Sequence, residues 1–347
     1  MPDILESSDP FISVVIPVRN EIHNIHSLIQ CLEKQSYSFD NFEVIIIDDY
    51  SEDGTFEQLL DYSKNSEVNI LVCKLEERAA GISHKKAAIT YGLRKVSGEI
   101  VLLTDGDVLL GENWIQSYAR AFSNTDAKFI SGPVVMDSFG FINDVQSLEF
   151  SSLIGTGAAA IYYNKPVLCN GANLAFSRDA FFEVNGYEGY EKIISGDDEF
   201  LMYKISKRHP SKISFLKSKD AKVHIQPKSG LMEFYNQRRR WSGKWKKHPN
   251  PFTKVLAIYI FIVQLSFLLL FISGILKLVT PYTVILILAI KLLLEFIYFK
   301  QMYLFFRKKL KVIPFIVSSL VYPFYAVTFG ILSNIGGYEW KGRHFKN

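Results

Sequence analysis

Two acidic clusters in the sequence are spaced so that they could carry out chemistry, and the first is the simpler. Asp105 and Asp107 follow the apolar run 100–103 and Thr104, with Gly106 between the two acids. Side chains at positions i and i+2 of an extended segment point to the same side, and a glycine lets a ligand approach the backbone. Two carboxylates placed in this way suit Mg²⁺ or Mn²⁺, with water and ligand phosphates completing the shell. This segment therefore predicts a divalent-metal site.

The second acidic cluster, at 197–199, opens a predicted helix. Asp197, Asp198 and Glu199 follow Gly196. Carboxylates in a first helical turn are favoured by the helix dipole, which is the purely structural interpretation. Adjacent carboxylates in a cleft are also suited to proton transfer, in which one of them removes a proton from a hydroxyl group. The cluster is therefore a candidate for a general base.

A basic and aromatic segment at 237–241 offers a third kind of chemistry. Gln237, Arg240 and Trp241 are spaced i, i+3 and i+4, so they share one face of a helix. The planar guanidinium of an arginine forms paired, charge-assisted hydrogen bonds with a diphosphate, and a tryptophan offers a flat face to a sugar or base. Basic residues just before an apolar segment are also typical of contact with anionic lipid. Both interpretations stay open.

Alternating strands and helices must position these residues. Apolar, β-branched runs predict strands at 12–18, 42–47, 68–73 and 99–103, and helical periodicity follows the first two strands and covers 83–95. Asn20 is the predicted N-cap of the first helix. This order of elements predicts an α/β domain with a parallel sheet covered by helices.

Polar residues follow three of these strands. Asn20 and Glu21 come after the first strand, Asp49 after the second, and Asp105 and Asp107 after the fourth. Asn and Asp are also common in turns that have no function. Open α/β sheets, however, bind their ligands at the carboxyl ends of the strands. Three polar turns at one edge therefore predict a binding site.

The overall composition excludes several classes of protein. The net charge is only +4 over 347 residues, and 48% of the residues are hydrophobic. The chain is therefore neither disordered nor dominated by a basic surface, and we expect no nucleic-acid partner. The three cysteines show no metal-finger spacing and indicate reduced thiols in the cytosol: Cys31, Cys73 and Cys169.

The C-terminal third contains three long apolar segments. Positions 255–276 and 312–338 carry no charge, and 278–299 carries only Lys291 and Glu295. Because about 20 apolar residues cross a bilayer core, these patterns predict three membrane segments. Their predicted bounds are 252–276, 279–299 and 312–336.

Charge decides the predicted orientation in the membrane. Basic clusters lie at 238–247 and 300–311, and the N-terminus lacks the pattern of a signal peptide. Both clusters belong on the cytoplasmic side by the positive-inside rule, so we expect a multi-pass protein of the inner or plasma membrane with a cytoplasmic N-terminal domain. Three full spans would put the basic tail 339–347 outside. Either the tail is an exception, or one segment is re-entrant or interfacial, and the pair Lys291 and Glu295 points to the second segment.

In their order along the chain, these motifs resemble those of inverting glycosyltransferases of family 2, which have the GT-A fold. The resemblance covers most of 11–247 and is strongest to the membrane-attached branch that includes cellulose, hyaluronan and ceramide glucosyl synthases. It rests on Pro-Val-Arg-Asn-Glu at 17–21, Asp-Asp-Tyr-Ser-Glu-Asp-Gly-Thr at 48–55, Lys-Ala at 86–87, Thr-Asp-Gly-Asp at 104–107, Gly-Ala-Asn-Leu-Ala-Phe at 171–176, Gly-Asp-Asp at 196–198 and Gln-Arg-Arg-Arg-Trp at 237–241. Positions 84 and 85 depart from the family pattern. In the family a Gly precedes the lysine that corresponds to Lys86, whereas here His84 and Lys85 precede it.

The resemblance implies a Rossmann-like GT-A domain, which binds nucleotide-diphospho-sugars, over 1–230. It further implies a juxtamembrane helix at 231–250, membrane helices within 251–338 and a basic tail at 339–347. Asp198 is the implied base, with Asp197 beside it, and Asp105 and Asp107 are the implied metal ligands. The implied donor-binding residues are Pro17, Asn20, Glu21, Asp49, Lys86, Asp105, Gln237, Arg240 and Trp241. Those implied on the sugar and acceptor side are Gly171, Ala172 and Asn173.

The implied activity is metal-dependent transfer of a sugar from a nucleoside-diphosphate sugar, foremost a UDP-sugar, to a hydroxyl of a lipid or lipid-linked acceptor. The expected cofactor is Mg²⁺ or Mn²⁺. A processive polysaccharide synthase is an alternative, although three membrane segments are few for a channel lined by several helices. A non-catalytic membrane protein that binds nucleotide sugars is a further alternative, but a pure binder has no need of Asp198.

Overall fold

The computed structural model describes residues 9–76, 83–193, 195–228, 230–243, 248–332, 337–340 and 343–346. The chain divides into two compact units. The first comprises Met1–Val134 and Gly157–Ile225, and the second comprises Val135–Thr156 and Gln226–Asn347. The units therefore do not follow a single break in the chain, because a segment of 22 residues in the middle of the sequence belongs to the second unit. The predicted domain limits near 230 and 250 stay predictions.

Ten strands precede residue 226 in the described chain. They are β1 (Ile12–Val18), β2 (Phe42–Asp48), β3 (Ile70–Lys74), β4 (Ile100–Leu103), β5 (Val108–Leu110), β6 (Phe129–Ser131), β7 (Val134–Met136), β8 (Leu174–Ser177), β9 (Ile213–Phe215) and β10 (Val223–Ile225). Seven helices accompany them. They are α1 (Ile22–Glu33), α2 (Thr55–Asn65), α3 (His84–Leu93), α4 (Trp114–Ser123), α5 (Phe141–Tyr162), α6 (Arg178–Glu183) and α7 (Asp197–Arg208).

The main sheet has seven strands in the order β3-β2-β1-β4-β8-β6-β9. β1 pairs in parallel with β2 and with β4, and β2 pairs in parallel with β3, as the sequence predicts. β8 differs, because it runs antiparallel between β4 and β6. The sheet is therefore mixed rather than parallel throughout. β5 and β10 pair antiparallel outside this sheet.

Both faces of the central strands β1, β2 and β4 are buried, which explains why these strands are apolar at nearly every position. In β1, Val14 and Ile16 pack on one side with Leu28 of α1, whereas Val15 packs on the other side with Ile89 of α3. Successive side chains of a strand point to opposite faces, so one apolar run supplies both cores. The predicted α/β architecture is thereby confirmed.

The second unit contains the long apolar helices. Its remaining elements are α8 (Leu231–Ser242), α9 (Pro251–Ile275), α10 (Pro281–Phe306), α11 (Val312–Leu332), β11 (Gly337–Trp340) and β12 (Arg343–Lys346). Three of these helices, α9, α10 and α11, are long and apolar enough to cross a membrane, with 25, 26 and 21 residues. The prediction of a GT-A-like α/β domain followed by membrane-spanning helices is consistent with this architecture. α10, which corresponds to the second predicted membrane segment, continues to residue 306, seven residues past the predicted end at 299.

Lys291 of α10 connects two of these helices. Its ammonium lies 2.7 Å from the Glu295 carboxylate on the next turn and donates to the carbonyl of Ser319 on α11 at 2.8 Å. Pro323 lies four residues after Ser319 and has no N–H, so the usual intrahelical hydrogen bond to that carbonyl cannot form. Lys291 therefore satisfies a carbonyl that the proline leaves without its helical donor.

Replacing Lys291 with Met should lower the stability of the packed helices α10 and α11 by about 1–3 kcal/mol, because a buried acceptor loses its donor and Glu295 loses its ion pair. Thermal unfolding in detergent would measure the loss. In a Pro323→Ala background the loss should be smaller, since the alanine has a backbone N–H that can donate to the Ser319 carbonyl. Lys300→Met, at an exposed position of the same helix, is the control. Equal losses of stability with and without Pro323 would contradict the inference that Lys291 replaces the N–H donor that the proline lacks.

Candidate active site

The carboxyl ends of β1, β2 and β4 lie at one edge of the main sheet, because β1 pairs in parallel with both neighbours. The turns after β1 and β2 are joined there. The amide of Asp49 donates to the carbonyl of Val18 at 2.9 Å. The guanidinium of Arg19 donates to the carbonyls of Asp49 and Tyr50 at 2.8 and 2.7 Å. The first two polar turns are therefore one connected structure.

Asn20 and Glu21 shape the turn after β1. Asn20 has a φ of 52°, in the left-handed region where Asn is enriched. Its amide donates to the Ser51 hydroxyl, and its side-chain oxygen accepts from the amide of Glu52, both at 2.9 Å. The Glu21 side chain is buried, and its carboxylate accepts a hydrogen bond from Asn24 at 2.6 Å. Both predicted donor-binding residues therefore help to build the turn itself.

The prediction that Asn20 caps α1 is wrong, because the N-cap residue is Glu21. The amide of Ile22 donates instead to the carboxylate of Asp53 at 3.1 Å. The same carboxylate accepts from the amide and hydroxyl of Thr55, at 3.1 and 2.6 Å, at the start of α2. Burial acts to raise the pKa of Asp53, but these hydrogen bonds outweigh it and lower the pKa. One carboxylate thus binds the first turns of two helices.

Asp49 stands at the end of β2 and is buried, with 6% of its surface exposed. Its carboxylate lies 3.7 Å from Nδ1 of His84, the first residue of α3. Pro17, another predicted donor-binding residue, is half-buried within β1. The N-terminus of α3 therefore meets the sheet edge at Asp49.

Lys85, the next residue of α3, connects the two acidic clusters. Its ammonium lies 2.6 Å from Oδ1 of Asp105 and 3.3 Å from Oδ2 of Asp197. Burial acts to lower the pKa of Lys85, but the carboxylates of Asp105 and Asp197 raise it by more, so the ammonium stays charged. The acidic residues after β4 and those at the start of α7 therefore belong to one site.

Asp198 is held at this site by backbone amides. Its Oδ2 accepts from the amide of Gly171 at 2.9 Å, and its Oδ1 accepts from the amide of Glu199 at 2.8 Å. Gly196 precedes the helix with a φ of 81°, a conformation that favours glycine. The predicted base therefore has a fixed orientation at the N-terminus of α7.

Gly171 lies where three charged groups meet. A Cβ atom at this position would be 3.2 Å from the Lys85 ammonium, 3.4 Å from Oδ2 of Asp197 and 3.6 Å from Oδ2 of Asp198. The absence of a side chain therefore leaves room for the ammonium beside the two acids. Gly171 thus lies beside the predicted base, and its predicted place on the sugar and acceptor side stays a prediction.

Lys86 does not join this cluster. Its side chain is fully buried, and its ammonium donates to the carbonyls of Tyr190 and Ile193 at 2.8 and 2.5 Å. Lys86 belongs to the buried part of α3, together with Ile89 and Leu93. The motif resemblance selected Lys86, but the rotation of α3 in the structure places the preceding lysine beside the acidic residues. Lys85 is the residue that the sequence interpretation missed.

Ala172 and Asn173 are also buried, at 3% and 0% exposed. The carbonyl of Ala172 accepts from the hydroxyl of Thr104 at 2.7 Å. The Asn173 side chain is fully hydrogen-bonded to four partners, which are Trp114, Tyr118 and the carbonyls of Pro133 and Ala221. The structure therefore places both residues behind the site, where they support Gly171.

The three residues predicted on one face of α8 lie in the second unit. The Trp241 ring packs 6.0 Å from Phe150, and the Arg238 guanidinium lies 4.6 Å over its face. Gln237 accepts a hydrogen bond from Arg238, and Arg240 is half-buried. One face of the tryptophan is therefore covered by a neighbouring side chain of its own helix.

Arg238 is a second residue that the sequence interpretation missed. Its Nε donates to both carboxylate oxygens of Glu149 at 2.9 and 3.1 Å, and the hydroxyl of Tyr325 donates to Glu149 at 2.5 Å. These residues tie α8, α5 and α11 together within the second unit. No local pattern could have shown this, since the partners are far apart in the sequence.

The residues predicted to bind a metal have suitable chemistry for a divalent ion. Asp105 is partly exposed, Asp107 is exposed, and Asp105 already holds a cation, the Lys85 ammonium. Among the residues that the structure describes, no three His, Cys, Asp or Glu side chains are grouped to hold a metal alone. Two carboxylates with water and substrate phosphates are nevertheless the usual setting for Mg²⁺. The residues present therefore fit a metal that arrives with a phosphate ligand.

Two protein-family models match the chain. Glycosyl transferase family 2 matches residues 13–184, and glycosyl transferase family group 2 matches residues 100–331. The second match covers more than half of the sequence. The chain belongs to glycosyl transferase family group 2. The predicted relation to family 2 glycosyltransferases is thereby confirmed, whereas the membrane-attached branch and the inverting mechanism stay predictions.

Similar proteins agree with this assignment. Glycosyltransferase AglE of Haloferax volcanii is 31% identical over 130 residues, which cover 38% of this chain and 41% of AglE. The glucosyl-dolichyl phosphate glucuronosyltransferase of the same organism is 28% identical over 154 residues, covering 44% of this chain and 47% of that protein. This glycosyltransferase chain thus spans less than half the length of these two curated relatives.

A solved structure supports the fold. The mannosyltransferase PcManGT from Pyrobaculum calidifontis, in complex with GDP-Man and Mn²⁺, superimposes with a TM-score of 0.52 at 17% identity. The match covers 92% of this chain and 88% of PcManGT. At this identity the similarity concerns the fold, and it confirms the predicted fold class.

Proposed function

We propose that this family member transfers a sugar from a nucleoside-diphosphate sugar to a hydroxyl group of a lipid-linked acceptor, with inversion at the anomeric carbon. Asp198 takes the proton from the acceptor hydroxyl. The hydroxyl oxygen forms the new bond to the anomeric carbon while the diphosphate leaves from the opposite face with the electron pair of the broken bond. Asp49, at the end of β2, contacts the nucleotide base.

The observation that supports the proposal most strongly is the position of Asp198. Both of its oxygens accept backbone amides, beside the ion pair of Lys85 with Asp105. A catalytic carboxylate must be held in one orientation toward the reacting hydroxyl, and two fixed amides do this without a flexible partner. Bound Mg²⁺ or Mn²⁺ at Asp105 and Asp107 would neutralise the charge that develops on the leaving diphosphate.

A lipid-linked acceptor agrees with the apolar helices. Three helices of the second unit are suited to a bilayer. One relative is named for a glucosyl-dolichyl phosphate, so lipid-linked substrates occur among similar proteins. We propose that the chain is a multi-pass membrane protein whose first unit faces the cytoplasm. The nucleotide sugar would then come from the cytoplasmic pool.

Incubating membranes that contain the full chain with a panel of labelled UDP- and GDP-sugars should transfer label from one donor to the lipid fraction. Treatment with EDTA should abolish the transfer, and added Mn²⁺ or Mg²⁺ should restore it. Asp105 and Asp107 are themselves negatively charged, so the bound metal ion is needed to neutralise the charge on the leaving diphosphate. Membranes with the Asp107→Asn protein are the matched control, in which added metal should not restore transfer.

The size of the product separates single addition from polymer synthesis. A single labelled adduct supports the proposed transfer to one acceptor, whereas a ladder of products supports a processive synthase. Full activity in EDTA would contradict the metal-dependent part of the proposal. No transfer from any donor in the panel would contradict the proposed activity.

A further inference from the structure

The Lys85 side chain lies between Asp105, a proposed metal ligand, and the first turn of α7, which carries the proposed base. Its ammonium bridges Asp105 and Asp197 at 2.6 and 3.3 Å, and its side chain is only 17% exposed. These two acids belong to different elements, the turn after β4 and the first turn of α7. A single side chain therefore links the donor side of the site to the acceptor side.

The charge of Lys85 explains how the acids can lie so close together. Asp197 and Asp198 both have an oxygen within 3.6 Å of the point where a Gly171 side chain would begin, and the Lys85 ammonium is 3.2 Å from the same point. Carboxylates at such distances repel one another unless a cation lies between them. The ammonium is that cation in the structure.

A divalent cation at Asp105 would compete directly with this ammonium. Oδ1 of Asp105 is already in contact with Lys85, and two positive groups cannot share one carboxylate oxygen at contact distance without strong repulsion. Asp197 is the second carboxylate partner of Lys85 and would remain available to it. Binding of metal at Asp105 is thus coupled to the contact of Lys85 with the acidic turn.

We propose that Lys85 is a positioning residue that acts as an internal counter-ion: it neutralises Asp105 before the metal arrives and gives up that carboxylate when the metal binds. The inference rests on the proposed function, since it assumes that Asp105 and Asp107 bind a divalent ion. Lys85 makes the free protein a weak metal binder and couples metal loading to the turn that carries Asp198. A metal brought by a nucleotide diphosphate is then favoured over the metal alone.

The test measures the binding of Mn²⁺ alone to the purified full chain by electron paramagnetic resonance. In Lys85→Met the affinity for Mn²⁺ should rise about tenfold or more, because a positive charge beside the metal ligand is removed. Lys85→Arg keeps the charge and should bind Mn²⁺ as weakly as the wild-type protein. Lys64→Met, at an exposed position in the last turn of α2, is the matched control and should change nothing.

Thermal unfolding gives an independent measurement on the same proteins. Without metal, Lys85→Met should unfold at a lower temperature, since the acids have lost their counter-ion. Saturating Mn²⁺ should raise its unfolding temperature by more than it raises that of the wild type, because tighter binding to the folded state stabilises it more. Lys85→Arg should respond to Mn²⁺ like the wild type.

The outcomes separate this inference from the proposed function. If Asp105→Asn and Asp107→Asn lose Mn²⁺ binding while Lys85→Met binds Mn²⁺ no more tightly than the wild type, the role of Lys85 is refuted and the metal site stands. If the two Asp variants bind Mn²⁺ like the wild type, the proposed metal site is refuted as well. Tighter binding in Lys85→Met that is lost when Asp105→Asn is added supports the competition.

Discussion

Glycosyl transfer should fall about thousandfold when Asp198 is replaced by Asn, because a general base contributes about 10²–10⁴ to the rate and an amide cannot accept the proton. The change preserves the shape of the side chain. It leaves Asp49, Asp105 and Asp107 untouched, so binding of the donor should remain. The loss should therefore appear in kcat, with little change in KM for the nucleotide sugar.

Two measurements make this result interpretable. The asparagine side chain has one acceptor oxygen where Asp198 accepts two amides, from Gly171 and Glu199, so some loss of stability is expected. Thermal unfolding and calorimetric titration with the donor show whether the variant is folded and binds. Glu67→Gln removes an exposed carboxylate of the first unit and is the control. A folded, donor-binding Asp198→Asn protein with normal turnover would remove Asp198 from the role of base.

The central strands could be predicted from the sequence because burial on both faces leaves an unmistakable pattern. β1, β2 and β4 are short runs that are mostly apolar, interrupted by Ser13 in β1 and Glu43 in β2, and clusters of polar residues begin where each strand ends. Since parallel neighbours end at the same edge, the convergence of Asp49 and Asp105 followed from the order of the elements. The long apolar helices were predictable for a different reason, since each is a long run with few charges and is long enough to cross a bilayer.

The short strand β8 could not be predicted in the same way. Its four residues, Leu174–Ser177, lie between β4 and β6 in the antiparallel direction. β4 is equally short, but the antiparallel pairing of β8 is decided by strands distant in the sequence, and no local pattern shows it. The segment Val135–Thr156 likewise shows no local sign that it belongs to the second unit, where Glu149 binds Arg238.

At the site, choosing between two adjacent lysines was harder than predicting that distant acidic residues belong to the site. Asp105 and Asp197 were both predicted from their position in turns, but the choice between Lys85 and Lys86 depends on the rotation of α3. One residue along a helix is a rotation of about 100°, enough to exchange a core position for an active-site position. Motif resemblance does not resolve such a difference. Ile89 and Leu93 do not resolve it either, because they lie at i+3 and i+7 from Lys86 and at i+4 and i+8 from Lys85.

The buried side chain of Asn173 supports the site through its hydrogen bonds to surrounding segments of the chain. Its side-chain oxygen accepts from Trp114 Nε1 and the Tyr118 hydroxyl, both at 2.8 Å. Its side-chain nitrogen donates to the carbonyls of Pro133 and Ala221 at 2.8 and 2.9 Å. All four hydrogen-bonding positions of the amide are therefore used, in a side chain that is fully buried.

Replacing Asn173 with Ala should lower the free energy of unfolding by about 3 kcal/mol or more, since each buried group left without a partner costs about 1–3 kcal/mol. For a unit of this size that loss corresponds to a fall of roughly 6–12 °C in the unfolding temperature. Thermal unfolding of the full chain in detergent measures it. Asn69→Ala, at an exposed position, should stay within about 0.5 kcal/mol of the wild type.

A double-mutant cycle with Tyr118 separates the network from simple loss of volume. Tyr118→Phe should cost about 1 kcal/mol in the wild type, where the hydroxyl donates to Asn173, but little or nothing in Asn173→Ala, where the hydroxyl has already lost its acceptor. Additive losses would contradict the network. Asn173 follows Gly171 by two residues, and Gly171 donates to Asp198. Asn173→Ala should therefore also lower kcat in the fraction that remains folded, because the amide that orients the base is no longer held in place.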